Sequence, residues 1–128
     1  MYAATKQYQA LSIASRIEAA SRHELVSILY EELIRALDVT RAAIGQEKVE
    51  ALQLGRSRVS SILVALDASL DFERGGELAQ RLAQIYRSMQ KEVAAAVQTR
   101  EADRLVPVRS GVAGLLIAWT KIGIREAA

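Results

Sequence analysis

The chain predicts an all-α fold, an antiparallel four-helix bundle preceded by a short N-terminal helix or arm. Three observations carry that prediction. Apolar residues recur at spacings of three and four in four successive stripes of about 20 residues, and no stretch alternates apolar and polar as a half-buried strand does. The links between stripes are short, so neighbouring helices must run in opposite directions. The composition, 51% hydrophobic, 25% charged, 5% aromatic and one proline, is that of a helical globular chain rich in Ala, Leu, Arg, Glu and Gln. Its 128 residues make a single domain, with 1–20 as the arm and 21–125 as the bundle, able to hold a core without disulfide or metal.

Residues 1–20 are alanine-rich, with Tyr8, Leu11, Ile13 and Ile17 as the apolar marks; the pattern is thin and reads as a short helix or arm. Ser21-Arg22-His23-Glu24 is a capping box, in which the Ser21 hydroxyl accepts from the Glu24 N–H and the Glu24 carboxylate reaches back. A helix therefore starts here. Leu25, Ile28, Leu29, Leu33, Ala36, Leu37, Thr40 and Ile44 then form a stripe running to Gly45, widened by Val26, Tyr30 and Ile34. From about Val49 to Phe72 the pattern repeats through Leu52, Val59, Ile62, Leu63, Leu66 and Leu70, with Gly55 as a weak point.

Gly75-Gly76 is the one place where two glycines stand together, and it is expected to make the reversal into a third helix, with Glu77 near its N–H groups. Leu78, Leu82, Ile85, Tyr86, Met89, Val93, Ala96 and Val97 line one side of that helix, and Arg81, Gln84, Arg87, Ser88 and Lys91 lie opposite. After a polar turn at 99–103, Leu105, Val108, Val112, Leu115, Leu116, Trp119 and Ile122 define a fourth helix. Pro107 must fall in its first turn or kink it, because an interior proline loses a backbone bond and clashes, costing about 3 kcal/mol; a start near Asp103 to Val106 with some irregularity at Pro107 is expected. Trp119, the bulkiest member of the last stripe, is expected in the core.

Composition also excludes functions. Zero cysteines remove disulfides, thiolate chemistry and cysteine-based zinc sites, and are compatible with a reducing compartment. The N-terminus lacks the apolar region of a secretory signal, and the run Ser110 to Thr120 is shorter than the roughly 20 residues of a membrane span, so a soluble cytoplasmic protein without membrane insertion is expected. Of 17 cationic residues 13 are arginine, but they are spread along the chain and interleaved with Glu and Asp, a solvated face and not a nucleic-acid patch.

No residue set announces catalysis. One histidine cannot supply the paired Glu-x-x-His ligands of a di-iron bundle, and no other metal or cofactor site is expected. His23 stands at a helix start, where a solvent-facing side chain is expected, and a phosphotransfer histidine belongs mid-helix. Glu31 and Glu32 point about 100° apart and do not converge on a substrate. Gly75-Gly76 follows no strand and lacks the Gly-x-Gly-x-x-Gly and Gly-Lys-Ser/Thr patterns of phosphate loops. What remains is apolar surface: the arm and the stripes carry more Leu, Ile, Val and Ala than a narrow seam demands, which fits either a wider core, the reading periodicity alone favours, or the binding of another chain in a groove.

The residue order adds a resemblance. Ser21-Arg22-His23-Glu24-Leu25-Val26-Ser27-Ile28-Leu29-Tyr30-Glu31-Glu32, then Ser69-Leu70-Asp71-Phe72-Glu73-Arg74-Gly75-Gly76-Glu77-Leu78-Ala79 with Leu82 and Tyr86, then Leu115-Leu116-Ile117-Ala118-Trp119, resemble the flagellar secretion (export) chaperone family, FliS-type. The likeness covers nearly the whole chain, and Leu70 through Tyr86 is its most specific part. It implies a cytosolic chaperone, not an enzyme, that binds the C-terminal region of flagellin, prevents its premature polymerisation and delivers it to the flagellar type III export apparatus. Arg22 stands where the family often has Pro, and Pro107, Gly111 and Gly114 make the last helix looser than the family pattern.

Client contact is expected at the flanks of the stripes, from Ile28 and Leu29 on one helix, Ile62 and Leu66 on the next, Tyr86 on the third and Tyr8 on the arm, which is expected to shield the same surface until client arrives. A monomer or weak homodimer is expected. The rival readings are a general helical adaptor, a chaperone for another secretion substrate, or a histidine phosphotransfer module acting through His23.

Overall fold

The computed structural model describes residues 13–15, 17 and 21–127, with side chains as far as residue 122. Among the described residues the structure is helical with no strand. Four long helices follow one another: α1 (Arg22–Gly45), α2 (Val49–Ala68), α3 (Phe72–Thr99) and α4 (Leu105–Ala127), with a 3₁₀ turn, Ala102–Arg104, leading into the last. Each packs on its neighbours in a ring, α1 on α2 and α4, and α3 on α2 and α4, most extensively between α1 and α2. Of the N-terminal arm, residues 13–15 and 17 have helical backbone, and Tyr8 and Leu11 lie outside the described residues.

Polar contacts at the two ends show the antiparallel arrangement. At one end Arg41 Nη2 donates to Asp103 Oδ1 at 3.1 Å, and Arg109 grips Asp38 with Nε at 2.7 Å and Nη2 at 3.3 Å. At the other, Arg22 Nη2 donates to the Ser69 carbonyl at 2.9 Å, which ties the start of α1 to the end of α2.

The helix ends follow local chemistry. Ser21 Oγ accepts from the Glu24 N–H at 3.2 Å, so the capping residue read from the sequence opens α1. Pro107 sits in the first turn of α4, as its missing N–H requires. The passage from α2 to α3 differs from expectation. Here α2 ends at Ala68, with Ser69 Oγ donating back to the Leu66 carbonyl at 2.7 Å, and Asp71 Oδ1 then accepts from the Arg74 N–H at 3.2 Å and caps a helix that begins at Phe72. The reversal is therefore made by Ser69 to Asp71, ahead of the glycines. Gly76 instead kinks the first part of α3, at φ 49° and ψ −122°, a conformation essentially closed to residues with a Cβ.

The core is built from the predicted stripes. Leu33, Leu37, Val59, Leu63, Leu66, Ala96, Leu105 and Val112 are fully buried, and α1 is buried over much of its surface. Gly55 is a site of close approach: a Cβ there would come within 2.4 Å of Thr40 Oγ1 and 3.2 Å of Thr40 Cα, and that hydroxyl is already fixed by donation to the Ala36 carbonyl at 2.7 Å. The glycine thus sets how closely α1 and α2 pack.

Two polar devices lie within the bundle. Glu32, buried on α1, accepts from Arg35 on its own helix and from Arg58 Nη2 of α2 at 3.0 Å, so the carboxylate keeps two cationic partners. Tyr30 and Tyr86 meet across the bundle with their hydroxyl oxygens 2.6 Å apart, one donating to the other. Burial is the main cause that raises both phenols above their ordinary value; for Tyr86 the bond to Tyr30 and the nearby Asp67 charge push the same way. Oδ1 of Asp67 is itself buried without a hydrogen-bond partner.

Three stability measurements check these assignments. Gly76→Ala is expected to cost about 1 to 3 kcal/mol in urea unfolding, the strain of a Cβ at that φ and ψ. Gly55→Ala should also destabilise, because forcing a methyl against the Thr40 backbone costs about 1 to 3 kcal/mol and outweighs the ~1 kcal/mol of helix propensity gained. For the tyrosine pair, a phenol raised in the folded state keeps its proton where the unfolded chain has lost it. Stability is then complete below about pH 10 and declines as pH rises above it, and Tyr30→Phe combined with Tyr86→Phe should flatten that alkaline decline.

Candidate functional site

The amount of apolar surface left uncovered differs sharply between helices. Ten residues of α1 are buried, six of α2 and six of α3, but of α4 only Leu105, Val108 and Val112 among the described side chains. Yet α4 is the most apolar helix in sequence, and Ala102–Ile122 is long and apolar enough, by length and composition alone, to cross a membrane. Its buried residues pack on the bundle and Arg109 is paired to α1. The excess therefore forms a face, beginning where burial gives out at Leu115 and Leu116, which are half-buried.

Two contacts define which side of each helix faces the gap. Arg109 reaches α1, so the opposite flank of α4, carrying Gly111, Leu115, Ala118 and Ile122 at spacings of three and four, turns toward α3. Gln90 of α3 donates to the Ser60 carbonyl of α2 at 3.3 Å, so the other flank of α3, carrying Leu78, Leu82, Ile85 and Met89, turns toward α4. Gly111 and Met89 are then close neighbours, a Cβ at position 111 coming 3.4 Å from Met89 Cε. Counting on from that point in antiparallel order aligns Leu115 with Ile85, Ala118 with Leu82 and Ile122 with Leu78 in sequence register.

Faces in such register would bury one another if the helices were closed together. They do not: Leu78 is 57% exposed, Ile85 38% and Ile122 39%, Ala118 is exposed, and Leu82 and Leu115 are half-buried. The result is an open apolar strip between the first half of α3 and the last half of α4, with half-buried Leu82 and Leu115 as its floor. Gly111 and Ala118 carry little or no side chain, so a guest can approach the α4 backbone closely. This arrangement suits an apolar helix or extended segment of another chain and offers no acid, base or nucleophile at its floor.

The residues expected from the stripe flanks lie elsewhere. Ile28, Ile62, Leu66 and Tyr86 are buried, Tyr86 through its bond to Tyr30, and a surface role does not fit these positions. Leu29 is half-buried and packed against the core. Tyr8 lies outside the described residues. The apolar side chains left exposed are instead Leu78, Ile85, Ala118 and Ile122, and the signal for them was the apolar excess of the last stripe together with the tight spacing of Leu78, Leu82 and Ile85.

His23 also departs from a solvent-facing side chain. It is half-buried, its ring is stacked on Trp119, and Nε2 lies 2.7 Å from the Trp119 carbonyl. A ring nitrogen so engaged is a poor acceptor for phosphoryl transfer. Trp119 correspondingly sits at the edge of the core, half-buried, and not at its centre. Among the described residues no group of His, Asp and Glu is placed to hold a metal ion. An open depression of 670 Å³ lies along α2, but Gln53, Arg56, Ser57, Ser60, Ser61 and Val64 that line it all belong to one helix, and it has no opposing wall.

Comparison with known proteins gives the family. The family profile described as Flagellar protein FliS matches residues 4–126. The chain is 30% identical over 124 residues to the flagellar secretion chaperone FliSB of Pseudomonas aeruginosa, covering 95% of this chain and 98% of that one. It is 30% identical over 125 residues to the flagellar secretion chaperone FliS of Salmonella typhimurium, covering 95% and 93%. It is 33% identical over 107 residues to the flagellar secretion chaperone FliS of Campylobacter jejuni, covering 83% of each. These relatives are named as chaperones and not as enzymes, and the chain belongs to the FliS family of flagellar proteins.

Proposed function

We propose that the chain is a cytosolic export chaperone that receives the C-terminal region of flagellin on the strip between α3 and α4, keeps it from polymerising prematurely and delivers it to the flagellar type III export apparatus. The observation that supports this reading is the apolar strip itself, matched in register and left open. Flagellin's terminal segments bury their apolar surface only against neighbouring subunits, so before assembly they are unfolded and prone to associate. Laid along the strip, such a segment covers Leu78, Ile85 and Ile122 and has its own apolar face covered in return. Ordering the segment costs conformational entropy, which holds the affinity to a level that permits release at the export gate.

Titration calorimetry with a synthetic flagellin C-terminal peptide tests the proposal. Binding with a negative heat-capacity change is expected, because apolar surface is removed from water. Leu78→Asp and Ile85→Asp should each weaken binding about tenfold or more, since withdrawing one aliphatic side chain from contact costs roughly 1.5 kcal/mol or more. Leu54→Asp, at a position 74% exposed on α2, should leave binding unchanged. An absence of heat at high peptide concentration, or strip variants that bind like the wild type, would overturn the reading.

A further inference from the structure

The strip raises a physical question: two apolar faces in register attract, and something must keep them apart. The chain's single histidine and single tryptophan supply an answer. His23 at the start of α1 and Trp119 near the end of α4 lie ring on ring, centroids 4.8 Å apart and planes inclined by 7°. The indole Nε1 donates to the His23 carbonyl at 2.9 Å, and imidazole Nε2 lies 2.7 Å from the Trp119 carbonyl. A carbonyl can only accept, so Nε2 carries the proton and donates. The couple is thus closed by a stack and two reciprocal bonds from side chain to main chain.

Its place in the fold gives it leverage. Burial of α4 declines along the helix, from Leu105, Val108 and Val112, which are buried, to Leu115 and Leu116, which are half-buried, to Ile117 and Ile122, which are exposed. In the last turns the attachment to α1 at Trp119 adds to the partial burial of Leu115, Leu116 and Trp119 in holding the helix. That attachment ties the last turns of α4 to the start of α1. Without it, Leu115, Ala118 and Ile122 are free to close on Ile85, Leu82 and Leu78 and bury the strip within the molecule.

We propose that His23 is a positioning residue for client binding: by clamping Trp119 it holds the end of α4 away from α3 and keeps the apolar strip open. The proposal rests on the client reading above for its function, but the clamp can be measured without client. The chain has no cysteine, so spin labels on cysteines introduced at the exposed positions Arg81 and Lys121 report the spacing of α3 and α4. In otherwise wild-type chain a single defined distance is expected, and His23→Ala should move the distribution to shorter distances. The same substitution should weaken the flagellin peptide about tenfold, the loss of one hydrogen bond and one aromatic stack. His23→Gln, which keeps a donor but no ring, and His23→Phe, which keeps a ring but no donor, should each fall between the two.

An unchanged distance distribution in both His23→Ala and His23→Phe overturns the clamp, and should the alanine variant fail to fold, the phenylalanine variant is judged alone. A shortened distance with unaltered peptide affinity also overturns it, since His23 would then be structural only. A wild-type chain that does not take the peptide overturns the client reading, and the distance measurement then decides the clamp by itself.

Discussion

A bundle is stable when each helix buries its apolar stripe, and in this chain α1 and α2 meet that condition while the first half of α3 and the last half of α4 do not. The tightest constraint lies between α1 and α2, where Gly55 admits Thr40 at a separation no larger residue allows. Close packing there lets α1 bury a wide stripe, including Glu32 and Thr40, whose polar groups must be satisfied in place by Arg35, Arg58 and the Ala36 carbonyl. With α1 and α2 fixed as a frame, α3 and α4 are added from either side. They meet at Gly111 and Met89 and lie open beyond.

Much of this was legible in the sequence, because helix ends and faces are local properties. Ser21 and Glu24 mark the start of α1, and Pro107 has one comfortable place in α4, whose first turn it occupies. The passage between α2 and α3 was less legible because two signals compete within a few residues. Paired glycines are the usual mark of a break, but Asp71 caps the backbone N–H of Arg74 four residues ahead of Gly75 and starts the helix first. Gly76 then spends its freedom on a kink. Gly55 misled in another way: helix propensity makes it a weakness, while packing against Thr40 makes it a requirement.

The candidate site was legible only in part, for a reason that is tertiary. Periodicity tells which residues share a face, but not how far away the neighbouring helix stands. Ile28, Ile62, Leu66 and Tyr86 meet neighbours that bury them, while Leu78, Ile85 and Ile122, on stripes of the same periodicity, stay exposed. The surplus of apolar residues in the last stripe was visible in the sequence. That it is matched, position by position, by a surplus on α3 depends on the register set at Gly111, which no local pattern records.

An open apolar strip is costly to keep in water. A surface of this kind persists only on a frame rigid enough to resist closing over it. Here the frame is fastened at both ends, by Arg41 with Asp103 and Arg109 with Asp38 at one, and by Arg22 with Ser69 and His23 with Trp119 at the other. The exposed charge pairs contribute little energy each, but they fix direction and register. These contacts form on folding, before any guest arrives. A guest entering the strip has only its own ordering to offset, which is the condition under which a modest apolar surface can bind an unfolded segment and still release it.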